Sequence, residues 1–376
     1  MVIGAGIVGA AVADRLAAGG GEVTVIDSGP PGAGTSRSSM AWVNAHNKQP
    51  RHYFELNRAG MRAHARLAEE LGGDWYHPAD TMQWAPDSDP AGMAHVEATV
   101  TRLREWGQSA RWLTREEALE MEPALALPTE VRSVALFEDE ALVDGEPLAR
   151  LLVERARERG AVVRTGPEYE AVGIDTEGGR ARGVRLAGGG RLPADVVVCC
   201  AGWRTPAVAA LAGASAPLVP GEEPGTEAPT LLASIVPAPG AMPMDRMILG
   251  PDLHARPLPG GRVYLEGLDL EVDAHTSAEV IERYSQELLE RARRTLPGVA
   301  EGAELEEGRV CVRPLPLDGY PLIGGHAHEG IEGFYTVVMH SGITLALHVA
   351  DLVTRELLNG EDAEELAPYR PARCTA

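Results

Sequence analysis

The sequence predicts an α/β protein, with a parallel-sheet domain started by a βαβ unit and a second domain built on an antiparallel sheet. Three observations lead there. The first residues run as strand, glycine turn, helix and second strand without a break. The same α/β alternation resumes from Val143 to Trp203, long after that unit has ended. Between and beyond these blocks lie amphipathic helical patterns and proline-rich stretches that belong to neither. At 376 residues the chain exceeds the size of one ordinary core, so two domains are expected.

The opening unit carries the most specific chemistry. Met1-Val2-Ile3 reads as a buried strand and runs into Gly4-Ala5-Gly6-Ile7-Val8-Gly9, with a helix over Ala10 to Ala18. Gly19-Gly20-Gly21 then turns the chain into a second parallel strand, Val23 to Asp27. In such an arrangement Gly4 permits the turn out of the strand and Gly6 admits the backbone to a pyrophosphate. Gly9 lets helix and strand pack closely, the helix N-terminus faces the phosphates, and Ile7 and Val8 within the turn are further candidate contacts. Asp27 closes the second strand about 20 residues on, where a carboxylate accepts hydrogen bonds from ribose hydroxyls. Strand, glycines, helix, strand and acid in this order predict a Rossmann-type dinucleotide site. A carboxylate at Asp27 suits FAD or NAD and disfavours NADP.

The loop Gly32 to Ser39 is rich in small and hydroxyl residues, and Thr35, Ser36, Ser38 and Ser39 are candidate contacts to a pyrophosphate or ribityl chain. Helical patterns follow over His52 to Leu71 and Ala91 to Trp106. Thr114 and Glu117 form a capping-box pattern for a helix that Pro123 stops. A helix over Glu146 to Arg159 leads to a strand at Ala161 to Arg164. A hairpin turning at Gly178-Gly179 and a strand over Asp195 to Ala201 come next, the latter ending at Gly202-Trp203. Pro217 to Pro259 gives no clear pattern. Beyond it, a strand is expected over Arg262 to Asp269, and helices over Ala278 to Leu296 and Ile343 to Leu358. These elements predict a discontinuous cofactor domain of residues 1–45, 140–215 and 308–376, and a substrate domain of residues 46–139 and 216–307.

Composition sets limits on partners. The formal net charge of -21 argues against nucleic acid and anionic membrane. Lys48 is the sole lysine, so arginine supplies the other cations, as a coding bias would produce. Cys199, Cys200, Cys311 and Cys374 have no zinc-site spacing, and a reduced cytoplasmic protein without a metal is expected. The apolar N-terminal segment lacks a basic region and is interrupted by Gly4, Gly6 and Gly9, unlike a signal peptide.

Four motifs carry a family resemblance across nearly the whole chain: Gly4 to Asp27, Val143 to Trp203, "RPLPLDGYPLIGG" at Arg313 to Gly325, and "HSGITLA" at His340 to Ala346. The chain resembles the D-amino acid oxidase superfamily of FAD amine oxidoreductases, which includes glycine oxidase and sarcosine oxidase. The last two motifs favour FAD over NAD. The resemblance implies that Gly342, Ile343, Thr344 and Leu345 open a helix at the flavin's pyrimidine edge, where the helix dipole meets negative charge on reduced flavin. It also extends the cofactor contacts to Gly202 and Trp203. Arg313 matches the carboxylate-binding arginine of glycine oxidase, whose planar fork holds an amino acid bidentately. His340 stands one place before Ser341, where glycine oxidase has a second basic residue.

Cys311 falls where sarcosine oxidase bonds covalently to its flavin, although the flanking Val310-Cys311-Val312-Arg313-Pro314 lacks the rest of that subgroup's pattern. The lysine that assists oxygen in sarcosine oxidase is replaced by Leu265 when the chain is aligned on Gly267, and Lys48 lies far off in sequence. Independently, strand alternation places His254 and Arg256 on one face as a candidate cavity wall.

The expected reaction is FAD-dependent oxidation of the C–N bond of an amino acid or N-substituted amino acid. Hydride passes from Cα to flavin N5, the imine hydrolyses and O2 reoxidises the cofactor. The rival readings are cleavage of a secondary amine or hydrazine-like N-substituted glycine in a biosynthetic pathway, and a flavin-binding subunit of a heteromeric complex without turnover.

Overall fold

Residues apolar on both faces make a strand that must be covered on both sides, and the first strand shows it. In the computed structural model, which describes residues 1–375, Val2–Ile3 lies inside a nine-stranded sheet. It pairs in parallel with Val197–Cys199 on one side and Thr24–Asp27 on the other. Val162–Thr165 extends the sheet beyond Thr24–Asp27, and Ile331–Val338 extends it beyond Val197–Cys199. The hairpin Ala171–Glu177 and Arg180–Leu186 completes that edge, turning at Gly178 and Gly179, both with positive φ. Resumption of the α/β pattern late in the chain is thus explained: its strands flank the first one.

Three helices pack on one face of this sheet: Ile7–Ala18, Gly145–Glu158 and Gly342–Asn359. The first presents Ala10, Ala11 and Ala13, all fully buried, so its neighbours come close. Gly360 ends the last helix in the left-handed conformation that a glycine permits. Arg51–Leu71 also packs against Gly342–Asn359 through its apolar stripe, which includes Tyr53, Leu56, Ala63 and Leu67.

A second sheet of eight strands runs in the order Glu304–Val312, Pro229–Val236, Val263–Glu266, His254–Pro257, Met247–Leu249, Thr81–Gln83, Ser133–Phe137 and Ala110–Thr114. Its pairings are antiparallel except for Met247–Leu249 with Thr81–Gln83. Helix Ala278–Thr295 covers it through Leu288, Leu289 and Ala292. Thr114 caps Arg115–Met121 with the reciprocal Glu117 bond that the sequence predicts.

The unpatterned stretch from Pro217 to Pro259 contributes three of these strands, and Glu304–Val312 is a fourth that periodicity did not reveal. The reason is position. Glu304–Val312 is an edge strand whose first half carries the exposed Glu304, Glu306 and Glu307, with Leu305 the one apolar side chain among them. It also runs past the boundary expected at residue 307. Among the described residues no helix is long and apolar enough to cross a membrane.

Candidate functional site

A continuous cavity of ≈ 780 Å³ runs between the two sheets. At one end it is bordered by Gly4, Gly6, Ile7, Val8 and Asp27, and at the other by the start of helix Gly342–Asn359. The first end has the geometry the glycines predict. A Cβ on Gly9 would overlap the Gly4 carbonyl oxygen, and one on Gly4 would overlap the Cys200 carbonyl, so neither position admits a side chain. Gly9 therefore serves packing and stays off the cavity wall, whereas Gly6 lines it.

Asp27 accepts the Ala5 N–H at 2.7 Å through Oδ2 and the Gly29 N–H at 2.8 Å through Oδ1. These bonds fix the carboxylate at the strand end while each oxygen keeps a lone pair for a ribose hydroxyl. The Ser36 hydroxyl accepts the Ile7 N–H at 2.9 Å, pinning the loop to the start of the helix. Thr35, Ser36 and Ser39 line the cavity. Ser38 does not; its hydroxyl lies 3.5 Å from Arg309 Nη1. Gly202 and Trp203 border the same end.

At the far end Gly342, Ile343 and Thr344 line the cavity. Leu345 is fully buried in the core and its N–H bonds the Ser341 carbonyl at 3.0 Å, so it offers the cavity no donor. Thr344 Oγ1 donates to the Trp42 carbonyl at 3.2 Å, and His64 Nε2 donates to the Ile343 carbonyl at 2.7 Å. The first turn of this helix is thereby held from two other elements. Its free N–H groups supply partial positive charge at that end. Glycine turn, fixed acid and second helix N-terminus suit the pyrophosphate, ribose and ring of FAD in one continuous space.

Beside that helix start the cavity carries titratable groups from several strands. Arg313 lines it, with Nε 3.4 Å from the Ala228 carbonyl and Nη2 bonded to the Glu227 carbonyl. Nη1 makes no hydrogen bond among the described residues, so one edge of the fork stays open. His340 borders the same space. Burial, reinforced by the charges of Lys48 and Arg313, pushes its pKa down to about 3, so the imidazole is neutral at physiological pH. Cys311 also lines the wall, 3% exposed, and burial pushes its thiol up to about 12. A thiol so held carries no thiolate near neutrality.

The strand face expected to hold His254 and Arg256 divides. His254 borders the cavity. Arg256 is 1% exposed and is spent on structure, donating to the Met40 carbonyl at 2.7 Å and pairing with Asp144 at 3.3 Å. It borders a separate cleft with Arg262 and Arg309, so it is not a wall of the main cavity.

Among the cavity residues that the sequence reading did not single out are Lys48, Glu266 and Thr230. Lys48 is the clearest correction, because distance along the chain counted against it and the fold brings it beside His340. Burial lowers its pKa to about 8, against the pull of Glu140. A sole lysine was the one available signal. Glu266, 6% exposed, closes an otherwise apolar strand, and only strand pairing reveals its partners.

Comparison with known proteins agrees with this geometry. Residues 1–356 match the DAO family model, described as FAD dependent oxidoreductase. Glycine oxidase of Geobacillus kaustophilus (strain HTA426) is 29% identical, with 99% of this chain and 96% of that protein covered. The crystal structure of glycine oxidase from that species superposes with a TM-score of 0.83 at 23% identity, covering 99% of this chain and 97% of that one. L-proline dehydrogenase from P. horikoshii gives a TM-score of 0.83 at 19% identity, with 100% and 96% covered. Iminodiacetate oxidase from Chelativorans sp. BNC1 gives 0.80 at 24%, with 98% of each chain covered. With glycine turn, ribose acid and helix terminus all in place, the chain belongs to the DAO family of FAD-dependent oxidoreductases.

Proposed function

We propose that this enzyme oxidises the C–N bond of an amino acid or N-substituted amino acid, holding the substrate carboxylate on Arg313. The carrying observation is the open edge of the Arg313 fork, in the cavity that also takes the start of helix Gly342–Asn359. In a chain of net charge -21 a substrate anion needs a cation fixed in place, and the two backbone carbonyls fix this one.

Each residue then has a task. The Glu227 and Ala228 carbonyls orient the guanidinium, whose remaining N–H groups clamp the carboxylate and set the direction of Cα. His340, neutral between two cations, provides a polar wall without adding charge. Gly4, Gly6, Asp27, the Ser36 loop and residues 342–344 hold FAD, which when bound supplies the acceptor for the hydride leaving Cα. The imine so formed is hydrolysed by water. Oxygen is the proposed final acceptor, because Lys48 places a cation in the cavity that the Leu265 position does not offer. Iminodiacetate oxidase and L-proline dehydrogenase, both named for secondary amines bearing carboxylates, support including N-substituted substrates. The two sheets support a discontinuous cofactor domain with its last boundary after Val312.

The test is anaerobic bleaching of the flavin by D-amino acids, glycine, sarcosine and larger N-substituted glycines, each beside its decarboxylated amine. Reduction by the carboxylates and not by the amines is expected. Equal reduction by both overturns the Arg313 assignment.

A further inference from the structure

We infer that His254, oriented by Glu266, accepts the ammonium proton of the substrate, converting it in the cavity to the free amine that can be oxidised. This rests on the reading of the cavity as a C–N oxidation site. An ammonium has no lone pair to assist hydride departure from its Cα, and amino acids are ammonium ions at neutral pH. Some group must take the proton before, or as, the substrate reacts.

The strand ladder builds such a group. His254 opens the strand His254–Pro257 and lies directly across from Glu266 in the antiparallel pairing with Val263–Glu266. Its Nδ1 is 3.3 Å from Glu266 Oε2, while the Thr230 hydroxyl donates to Oε1 at 3.0 Å. All three residues border the cavity alongside Arg313 and Cys311. Glu266 is ionised: burial opposes this, but the His254 bond and charge, then Arg313 and Thr230, bring its pKa below the usual value. An ionised carboxylate at Oε2 requires hydrogen on Nδ1, which leaves the lone pair on Nε2.

Nε2 makes no hydrogen bond among the described residues, and the His254 side chain is 23% exposed, unlike the 8% of its carboxylate partner. The other titratable groups bordering this part of the cavity are Cys311, Arg313, Lys48, His340 and His95, none of them a carboxylate, so Glu266 is the carboxylate that stabilises a proton on His254.

The step balances as follows. The N–H bond of the ammonium breaks and its proton forms a bond to Nε2. The freed lone pair closes the C=N bond as hydride leaves Cα, with its electron pair, for the bound cofactor. The product is an iminium ion, and the proton on Nε2 returns to solvent before the next turnover.

The experiment follows flavin reduction in the FAD-loaded enzyme by stopped flow across pH, with the amino acid that reduces wild type fastest. Wild type should give a bell in kred/Kd, its acid limb set by the His254–Glu266 pair and its basic limb by the substrate ammonium. In His254→Gln the bell should become a single rise following the substrate's own titration, with a loss on the order of 10²-fold or more below it. In Glu266→Gln the acid limb should instead move to lower pH, because the imidazole loses its anionic partner. Opposite displacements are not produced by loosened packing, and FAD content is measured in both variants. Unchanged profiles in both variants, with wild type active, overturn the relay and leave the C–N oxidation reading standing. A wild-type flavin that no amine reduces overturns both.

Discussion

Arg313 is placed by what surrounds it more than by its charge. The Glu227 and Ala228 carbonyls occupy one edge of the guanidinium, so rotation is restricted, and Nη1 is left without a partner among the described residues, in a residue that lines the cavity. Lysine keeps the charge without the fork, so Arg313→Lys should weaken binding and misdirect Cα, lowering kcat/KM while FAD content is kept. Arg313→Ala should lose about 2–5 kcal/mol of transition-state stabilisation, read from kcat/KM. Wild-type kinetics in Arg313→Ala would remove the residue from the mechanism.

Cys311 gives a second prediction at this scale. Its thiol is buried and pushed up to about 12, so acid or heat denaturation should release free FAD and leave a colourless pellet. A yellow pellet that Cys311→Ala turns colourless would establish a covalent link instead. Arg313, His254 and Gly342 were legible because motif or alternation carried them. Lys48 and Glu266 were not. Their chemistry comes from partners brought close by folding, His340 for one and Thr230 with His254 for the other, and no local pattern encodes that.

Among elements, helices were legible, whereas the second sheet was expected as a layer but only its strands Val263–Glu266 and His254–Pro257 were read in place. Arg51–Leu71, Gly145–Glu158, Ala278–Thr295 and Gly342–Asn359 each keep a stripe of apolar residues at helical spacing, and glycine or proline bounds several of them. Strands such as Met247–Leu249 are three residues long and take their identity from neighbours distant in sequence.

The contact that sets the cavity end lies between two of those helices. A Cβ on Gly60 would overlap the Thr344 carbonyl oxygen, so helix Arg51–Leu71 approaches helix Gly342–Asn359 to backbone contact. Gly60→Ala improves helix propensity by roughly 1 kcal/mol but must push the helices apart. The net effect should be a loss of about 1–3 kcal/mol. Because Ile343 and Thr344 line the cavity, FAD retention should fall along with Tm. Unchanged retention would show that the helix start does not hold the cofactor.

Across the whole molecule the two sheets and the helices between them bury imidazoles that cannot take up a proton cheaply. His64 is fully buried, donating from Nε2 to the Ile343 carbonyl at 2.7 Å while Nδ1 has no partner. Burial holds its pKa down at about 4, and that of the partly exposed His340 at about 3. His326 is lowered as well, by burial that outweighs the pull of Glu329.

In the unfolded chain these groups titrate near 6.5. Above that value neither state binds the protons and stability is complete. As pH falls from 6.5 toward 4 the unfolded state takes up protons that the folded state refuses, and stability drops. Each histidine adds at most about 1.4 kcal/mol per pH unit to that slope. Urea unfolding from about pH 7.5 to about pH 5 isolates this window, since most carboxylates are still ionised there. His64→Gln should be less stable at the upper end, having lost a well-packed imidazole, yet its stability should decline less steeply toward the lower end. Parallel slopes for wild type and variant would mean that His64 titrates normally in the fold, and that the acid sensitivity of the protein's stability arises elsewhere.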